Sequence, residues 1–220
     1  MFPLPGLIPP PPYNFDDALP PTTLEMYRND QLDDCVIAAR AHHTIRLVWD
    51  GVRPLLDISD DDVVREYNKE TGGGIDGLNL NDSLDQWRNE GWTIGNDPTM
   101  RKIKNHSDSY SIEGGAFPGT DPTMTLHQQQ LQARIFSSIG AQVNLILPEG
   151  VRVNNRNSFG PGHPWQDTSD SDGDHHVMLL TGYSVEGFLG ITWAQRQQMT
   201  WGFLQAHCWG VFFVEKGQTT

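Results

Sequence analysis

Apolar residues recur at helical spacing in residues 35–49, where Ile37, Ala41 and Ile45 fall on one face. This period predicts an amphipathic helix, and either of the two aspartates before Cys35 can serve as its N-cap. Acidic first turns and terminal glycines predict two further helices, at residues 59–71 and 82–90, and a fourth helix is predicted at residues 126–139. For the helix at 82–90, the sequence predicts Asp82 or Ser83 as the N-cap.

The C-terminal third of the chain is rich in β-prone runs. These runs predict strands at residues 141–147, 176–183, 188–193 and 209–215, separated by turn residues. Helices early in the chain and antiparallel strands late in it indicate an α+β fold.

Residues 1–21 carry eight of the fifteen prolines in the chain. Proline fixes its own backbone and donates no hydrogen bond, so this segment is predicted to form an extended arm, not a helix or a central strand. We expect the arm to lie either in a groove of its own domain or against a neighbouring chain. The remaining residues, 22–220, form the predicted folded domain.

The composition excludes several classes of protein. The 220 residues carry a net charge of −13 and no run of lysines or arginines, which argues against nucleic-acid binding. No apolar stretch approaches the ~20 residues of a membrane span. The proline-rich start has no basic residue before Arg28, unlike a signal peptide. Two cysteines, Cys35 and Cys208, are typical of a protein in a reducing compartment.

Cys35 is the candidate nucleophile, because it begins a predicted helix. Unpaired backbone N–H groups and the helix dipole favour a thiolate at that position. A nucleophilic cysteine also needs a base and donors for an oxyanion. His175 and His176, about 140 residues downstream at the start of a predicted strand, are the candidate bases.

Several local strings resemble the papain-like cysteine peptidases. In Asn29-Asp-Gln-Leu-Asp-Asp-Cys35, an amide side chain precedes the cysteine by six residues, as in that family. His176 begins an apolar strand that reaches Gly-Tyr at its seventh and eighth residues, and Trp193 and Trp201-Gly follow in matching places. The chain is most similar to uncharacterised papain-like proteins of bacteria and bacteriophages marked by Asn-Asp-x-x-Gly-Asp-Cys, with Asp33 where they have glycine.

The resemblance implies a papain-like fold, with a helical left half over about residues 22–125 and an antiparallel β right half over about 126–220. It also implies roles: Cys35 as nucleophile, His176 as base, and the side-chain amide of Asn29 as oxyanion donor, with Gln31 as the alternative. Other residues are expected to line or wall the substrate cleft: Gln31, Gly73, Gly74, His175, Trp193 and Trp201.

The chain departs from the family pattern in two respects. The asparagine that orients the histidine is replaced by Ile191 or Thr192, depending on the alignment, and only the threonine side chain can hydrogen-bond. Acidic residues also surround the pair. Asp33 and Asp34 are expected to raise the pKa of Cys35, and the acidic segment 167–174 to raise that of His176.

Other interpretations of these residues carry less weight. Two alternatives for Cys35 are an ordinary buried cysteine and a disulfide with Cys208. The family-like sequence around Cys35 argues against the first, and the expected reducing compartment argues against the second. Neighbouring histidines lack zinc-ligand spacing. The segment 167–174 has alternate aspartates, yet it lacks the glycine position and closing glutamate of a calcium loop. We therefore expect no metal or cofactor.

The function predicted from the sequence is that of a thiol hydrolase acting on peptide or amide bonds of a peptide or protein substrate. The alternative is a papain-like fold of weak or no activity that serves as a structural or binding component of an assembly such as a phage virion, with the N-terminal arm contacting neighbouring subunits. The expected location is the bacterial cytoplasm or a virion. No nucleic-acid or membrane partner is expected.

Overall fold

The computed structural model describes residues 12–19, 24–52, 54–107, 122–149, 151, 163–166, 173–184 and 186–219. Most of the arm and most of the acidic segment 167–174 lie outside these residues. The predictions made for them, including the calcium alternative, therefore stay predictions.

The described residues contain five α-helices: α1 (Cys35–Val48), α2 (Asp60–Thr71), α3 (Leu80–Asn89), α4 (Pro122–Ser137) and α5 (Trp201–His207). They also contain nine strands: β1 (Tyr13–Asn14), β2 (Trp92–Ile94), β3 (Asp97–His106), β4 (Ala141–Pro148), β5 (Gly173–Tyr183), β6 (Gly187–Thr192), β7 (Gln195–Thr200), β8 (Cys208–Phe212) and β9 (Val214–Thr219). The α+β prediction is confirmed.

Two antiparallel sheets organise the strands. The larger has the order β7-β6-β5-β4-β8, with β1 paired to the end of β5, and the smaller has the order β2-β3-β9. Strands from the last third of the chain thus enter both sheets. The small sheet packs with α2 and α3 in one apolar core, and the large sheet packs with α4 and α5 in another.

Helix α1 is the central element of the fold. Twelve of its 14 residues are buried, which is more than an amphipathic helix on a surface would bury. Its apolar residues enter the first core, and its buried polar residues meet specific partners. Arg40 donates to the Ser83 carbonyl oxygen at 2.7 Å and lies 2.6 Å from a carboxylate oxygen of Glu70. Such pairing is what makes a buried charge tolerable.

The helix boundaries follow from local capping chemistry. In α2, Ser59 and Asp62 form a reciprocal capping box, and Gly72 ends the helix with a left-handed φ of 65°. In α3, the Asn79 side chain accepts from the backbone N–H of Asn81 and Asp82. Helix α3 therefore begins before Asp82, and the prediction of Asp82 or Ser83 as its N-cap is wrong.

The predicted strand at residues 209–215 is two strands. Strand β8 ends at Phe212 in the large sheet, and β9 begins at Val214 in the small sheet. The apolar run is continuous because residues 211–214 are all buried, so its hydrophobicity does not mark the crossing. The sequence also did not predict the hairpin β2-β3, strand β7 or the short helix α5.

The described part of the arm lies on its own domain. Tyr13 and Asn14 pair with Tyr183 and Gly182 of β5. A Cβ atom at Gly182 would lie 2.4 Å from the Tyr13 carbonyl oxygen, so only glycine allows this close approach. Directly after β1, the buried Asp16 accepts a hydrogen bond of 2.7 Å from Nε of Arg46 on α1. For residues 12–19, the groove of the same domain is thus the alternative observed.

Candidate active site

Cys35 is the first residue of α1 and is partly exposed. Its sulfur accepts hydrogen bonds from the backbone N–H groups of Val36 and Val177, which lower the pKa of the thiol. Burial has the larger effect, and together with the charges of Asp34 and Asp33 it raises that pKa to about 11. The expected direction of the aspartate effect is therefore observed, but desolvation is the main cause.

His176 lies on β5, directly before the Val177 backbone that contacts the thiol. Its Nε2 is 2.5 Å from Oγ1 of Thr192, the last residue of β6. The ring stacks on the Trp193 indole with centroids 4.3 Å apart and planes 26° apart. Of the two candidates for the orienting position, Thr192 is the one that contacts the ring. Because Nε2 contacts Thr192, Nδ1 is the ring nitrogen that this contact leaves unused.

Burial lowers the pKa of His176 to about 3. Desolvation of the imidazolium causes this shift. The raising effect expected of the acidic segment stays a prediction, because most of that segment lies outside the described residues. The two shifts, upwards for the thiol and downwards for the imidazole, both favour the neutral forms of the pair. Among the described residues, no hydrogen bond joins the two side chains, which is common in a cysteine–histidine site without substrate.

The turn between β6 and β7 holds the indole over His176. Its two central residues, Trp193 and Ala194, have φ values of 46° and 58°. Both values belong to the left-handed region that a tight two-residue hairpin of type I′ requires, where asparagine and glycine are the usual residues. The fold thus tolerates backbone strain at the position that covers the imidazole, which is typical of functional sites.

Two cavities meet at the cysteine and histidine. The larger, about 770 Å³, extends towards Leu78 and Trp209, and the smaller, about 490 Å³, extends towards Asn29 and Trp193. Five residues line both cavities: Asp33, Cys35, Asp174, His175 and His176. The pair therefore lies where the two cavities adjoin, in the middle of one cleft.

Three of the six predicted cleft residues line this cleft, and three lie elsewhere. The lining residues are Gln31, His175 and Trp193, together with the predicted oxyanion donor Asn29. Gly73 and Gly74 lie at the end of α2, and neither they nor Trp201 line either cavity.

Other residues take those places in the structure. The Trp201 ring packs on Phe188, with centroids 4.1 Å apart, beside the second core. Residues 77–81 line the larger cavity a few positions after the predicted glycines. This segment was not among the predicted cleft residues, although the string Leu-Asn-Leu-Asn at residues 78–81, which includes the α3 cap, marks it.

The Asn29 amide makes one specific contact next to the cysteine. Its Nδ2 donates to Oδ1 of the buried Asp34 at 2.9 Å. Burial raises the pKa of Asp34 to about 7, with the Asn29 hydrogen bond opposing the shift and the charges of Asp60 and Asp30 adding to it. The sequence predicts separate roles for Asn29 and Asp34 and does not predict this hydrogen bond between them.

The described residues contain no cluster of three or more metal-ligating side chains, and none of their helices is long and apolar enough to cross a membrane. The two cysteines, Cys35 and Cys208, are both free. The disulfide alternative is therefore absent.

The layered arrangement, with a central helix that begins at a cysteine and an antiparallel sheet that carries a histidine, is the papain-like fold. Three solved structures show the likeness. Xylellain, a cysteine protease from Xylella fastidiosa, superposes with a TM-score of 0.69 at 13% identity, over 99% of this chain and 91% of its own.

The Carica candamarcensis cysteine protease CMS1MS2, in complex with E-64, gives a TM-score of 0.61 at 10% identity, over 95% of this chain and 100% of its own. A structure concerning the mite allergens Blo t 1 and Der p 1 gives 0.57 at 11% identity, over 94% of this chain and 71% of its own. No family model and no curated protein matches the chain. The likeness to these structures therefore shows the fold.

Proposed function

We propose that this protein is a thiol hydrolase that cleaves peptide or amide bonds, with Cys35 as nucleophile and His176 as base. The observation that carries the proposal is their placement. Cys35 begins α1, and His176, held at Nε2 by Thr192, lines the same cleft. The cysteine-protease activity of the two enzymes with this fold supports the same chemistry.

The proposed reaction starts from neutral groups. Nδ1 of His176 accepts the thiol proton as Sγ attacks the substrate carbonyl, so the negative charge passes to the carbonyl oxygen. The side-chain amide of Asn29 and the Cys35 backbone N–H stabilise that oxyanion. The imidazolium then protonates the leaving amine, and water hydrolyses the thioester to restore the thiol.

The test is hydrolysis of a panel of fluorogenic peptide amides, with the purified protein as catalyst. Cys35→Ala and His176→Ala are expected to reduce turnover to the uncatalysed background. Cys208→Ser is the matched control, because Cys208 is buried in the second core away from the cleft, and it should keep turnover. Equal turnover in Cys35→Ala and wild type would contradict the proposal.

Thr192 provides a second, finer prediction. Replacement by valine keeps the shape but removes the hydroxyl, which leaves a buried imidazole N–H without an acceptor, at a cost of about 1–3 kcal/mol. We expect kcat to fall about 10- to 100-fold. Thr192→Asn, which restores a carbonyl acceptor, should recover part of this loss. If valine and asparagine variants behave alike, the hydroxyl contact does not orient the ring.

The alternative function, a structural or binding component of an assembly, has one observation in its favour. Burial raises the thiol pKa and lowers the imidazole pKa, and both shifts oppose a preformed ion pair. The arm argues the other way, because its described residues bind their own domain. Light scattering and the peptide-amide panel separate the two: a discrete monomer with turnover favours the hydrolase, and an inactive oligomer favours the assembly component.

A further inference from the structure

The contact between Asn29 and Asp34 has no counterpart in the predicted catalytic roles. Asn29 is half-buried and lines the smaller cavity with Cys35 and His176, whereas Asp34 is fully buried and lines neither cavity. The two side chains lie on the turn that leads into α1, five residues apart, and a hydrogen bond of 2.9 Å joins them. Asp34 is thus in contact with a cleft residue but not with the cleft.

Asp34 lacks the partners that normally justify a buried carboxylate. Its side chain makes no capping bond to α1, although the residue occupies the N-cap position. Within the described part of the chain, no lysine or arginine lies within ion-pair distance of it, and its Oδ2 has no hydrogen-bond donor. The Asn29 amide is its side-chain hydrogen-bond donor. A buried charge whose side-chain donor is one amide destabilises the fold, which indicates a role in function.

The chemistry of the contact explains what it can do. A primary amide carries two N–H donors and one carbonyl oxygen, and a flip of the group exchanges them. An ionised carboxylate only accepts, so it binds one N–H and repels the flipped amide, whose oxygen would face its own. The ionised Asp34 therefore selects one of the two amide orientations and leaves the second N–H for another acceptor.

We propose that Asp34 is a positioning residue that fixes the Asn29 amide, so that the second N–H of Asn29 is presented to the cleft as the oxyanion donor. The inference rests on the proposed function, because an oxyanion forms only if Cys35 attacks a carbonyl. A fixed donor needs no reorganisation when the charge develops, which is the basis of oxyanion stabilisation.

The same carboxylate opposes thiolate formation. Asp34 raises the pKa of the adjacent Cys35, and its own pKa is raised to about 7 by burial. The other titratable groups that face Asp34 are Asp30 and Asp33 on the preceding turn and Asp60 and Tyr67 on α2. One residue thus has two effects of opposite sign: it orients the oxyanion donor and makes the thiol harder to ionise.

The variant Asp34→Asn separates these effects. Its side chain is isosteric and uncharged, and it can bind the Asn29 amide in either orientation. We expect kcat on the peptide-amide panel to fall about 10- to 100-fold with little change in KM, while alkylation of Cys35 by iodoacetamide at pH 9 becomes about 3- to 10-fold faster. A purely structural defect would not slow turnover and speed up alkylation together.

The pH profile is the second readout. In the wild type, kcat should rise with an apparent pKa near 7 as Asp34 ionises, and this limb should be absent in Asp34→Asn. A limb that persists in the variant belongs to another group, His176 included, and would overturn the inference. Asp33→Asn is the matched control. It removes a neighbouring exposed charge, so alkylation should become faster, but the limb near pH 7 should remain.

A double-mutant cycle with Asn29→Ala tests the route of the effect. Loss of the amide should lower kcat about 10²- to 10³-fold, and Asp34→Asn should then add no further loss, because the residue acts through Asn29. Additive losses would overturn the inference while leaving the hydrolase intact. A wild type without turnover on the panel, whose Cys35 alkylates no differently after His176→Ala, would instead overturn the proposed function and this inference with it.

Discussion

Two buried aspartates, Asp16 and Asp34, lie near opposite ends of α1 and have different partners. Asp16 meets the guanidinium of Arg46 near the C-terminal end of the helix, and Asp34 accepts from the neutral Asn29 amide at the N-terminal end. Both side chains are removed from water. The paired carboxylate ties the N-terminal segment to the domain, whereas the unpaired one lies beside the candidate nucleophile. The chain thus pairs a buried carboxylate with a guanidinium where it holds structure, and leaves one without an ionic partner next to the candidate nucleophile.

The largest expected effect is on the paired side. Asp16→Ala leaves the fully buried Arg46 without its carboxylate, and an uncompensated buried charge costs about 3–5 kcal/mol. The free energy of unfolding from urea titration should fall by that amount. Asp17→Ala is the matched control, because Asp17 is exposed and, within the described residues, its side chain accepts from Asn14. Its effect should stay within about 0.5 kcal/mol. Equal effects of the two variants would contradict the assigned role of the ion pair.

Removing the charge of Asp34 should instead raise the free energy of unfolding. The pKa of Asp34 is about 7 in the folded protein and about 4 in the unfolded chain. A raised folded pKa contributes stability that is present below pH 4 and is lost as the pH rises towards 7. Asp34→Asn lacks this loss, so it should be more stable than wild type above pH 7, by about 2–4 kcal/mol.

Urea titrations of this variant at pH 4 and pH 8 check the difference. The two proteins should be closely similar at pH 4 and differ at pH 8. Asp33→Asn, at an exposed site, should show no comparable gap. A variant that is less stable than wild type at pH 8 would mean that the charge of Asp34 is favourable in the folded state.

The smallest effect concerns the strand that brings Asp16 to Arg46. Gly182→Ala places a Cβ against the Tyr13 carbonyl, so β1 must shift, at a cost of about 1–3 kcal/mol. We expect faster amide hydrogen exchange in residues 12–19 than elsewhere in the domain. Gly77→Ala is the control, since a Cβ there meets nothing within 4 Å. Uniform exchange across the domain in Gly182→Ala would contradict a local role for this contact.

The fold and the site were predictable to different degrees. Helices α1 and α2 follow from apolar spacing and capping residues, and the strand that carries His176 follows from its apolar run. Strand β3 has a single fully buried residue, Ile103, so its sequence gives almost no alternation to read. Its partner β9 lies more than 100 residues away, and local sequence contains no record of such pairing.

At the site, the sequence indicates which residues take part but not what surrounds each side chain in the fold. The strings around Cys35 and His176 marked both residues, and the hydroxyl of Thr192 marked it over Ile191. Desolvation depends on what packs around a side chain, so the lowered pKa of His176 could not be anticipated from charges near it in sequence. The Asn29–Asp34 contact was hidden for the same reason, because turn geometry decides which side chains of a polar string meet.

Strand β9 has a consequence for the order in which the protein can be made. The small sheet consists of the hairpin β2-β3, completed by a strand that comes after every other described element in the chain. During synthesis, α2, α3 and this hairpin leave the ribosome long before β9. Until then the edge of β3 that pairs with β9 stays open. The helical half therefore reaches its native form only after the β-rich half has been translated, and nascent chains stalled before residue 214 should remain sensitive to protease in residues 92–106.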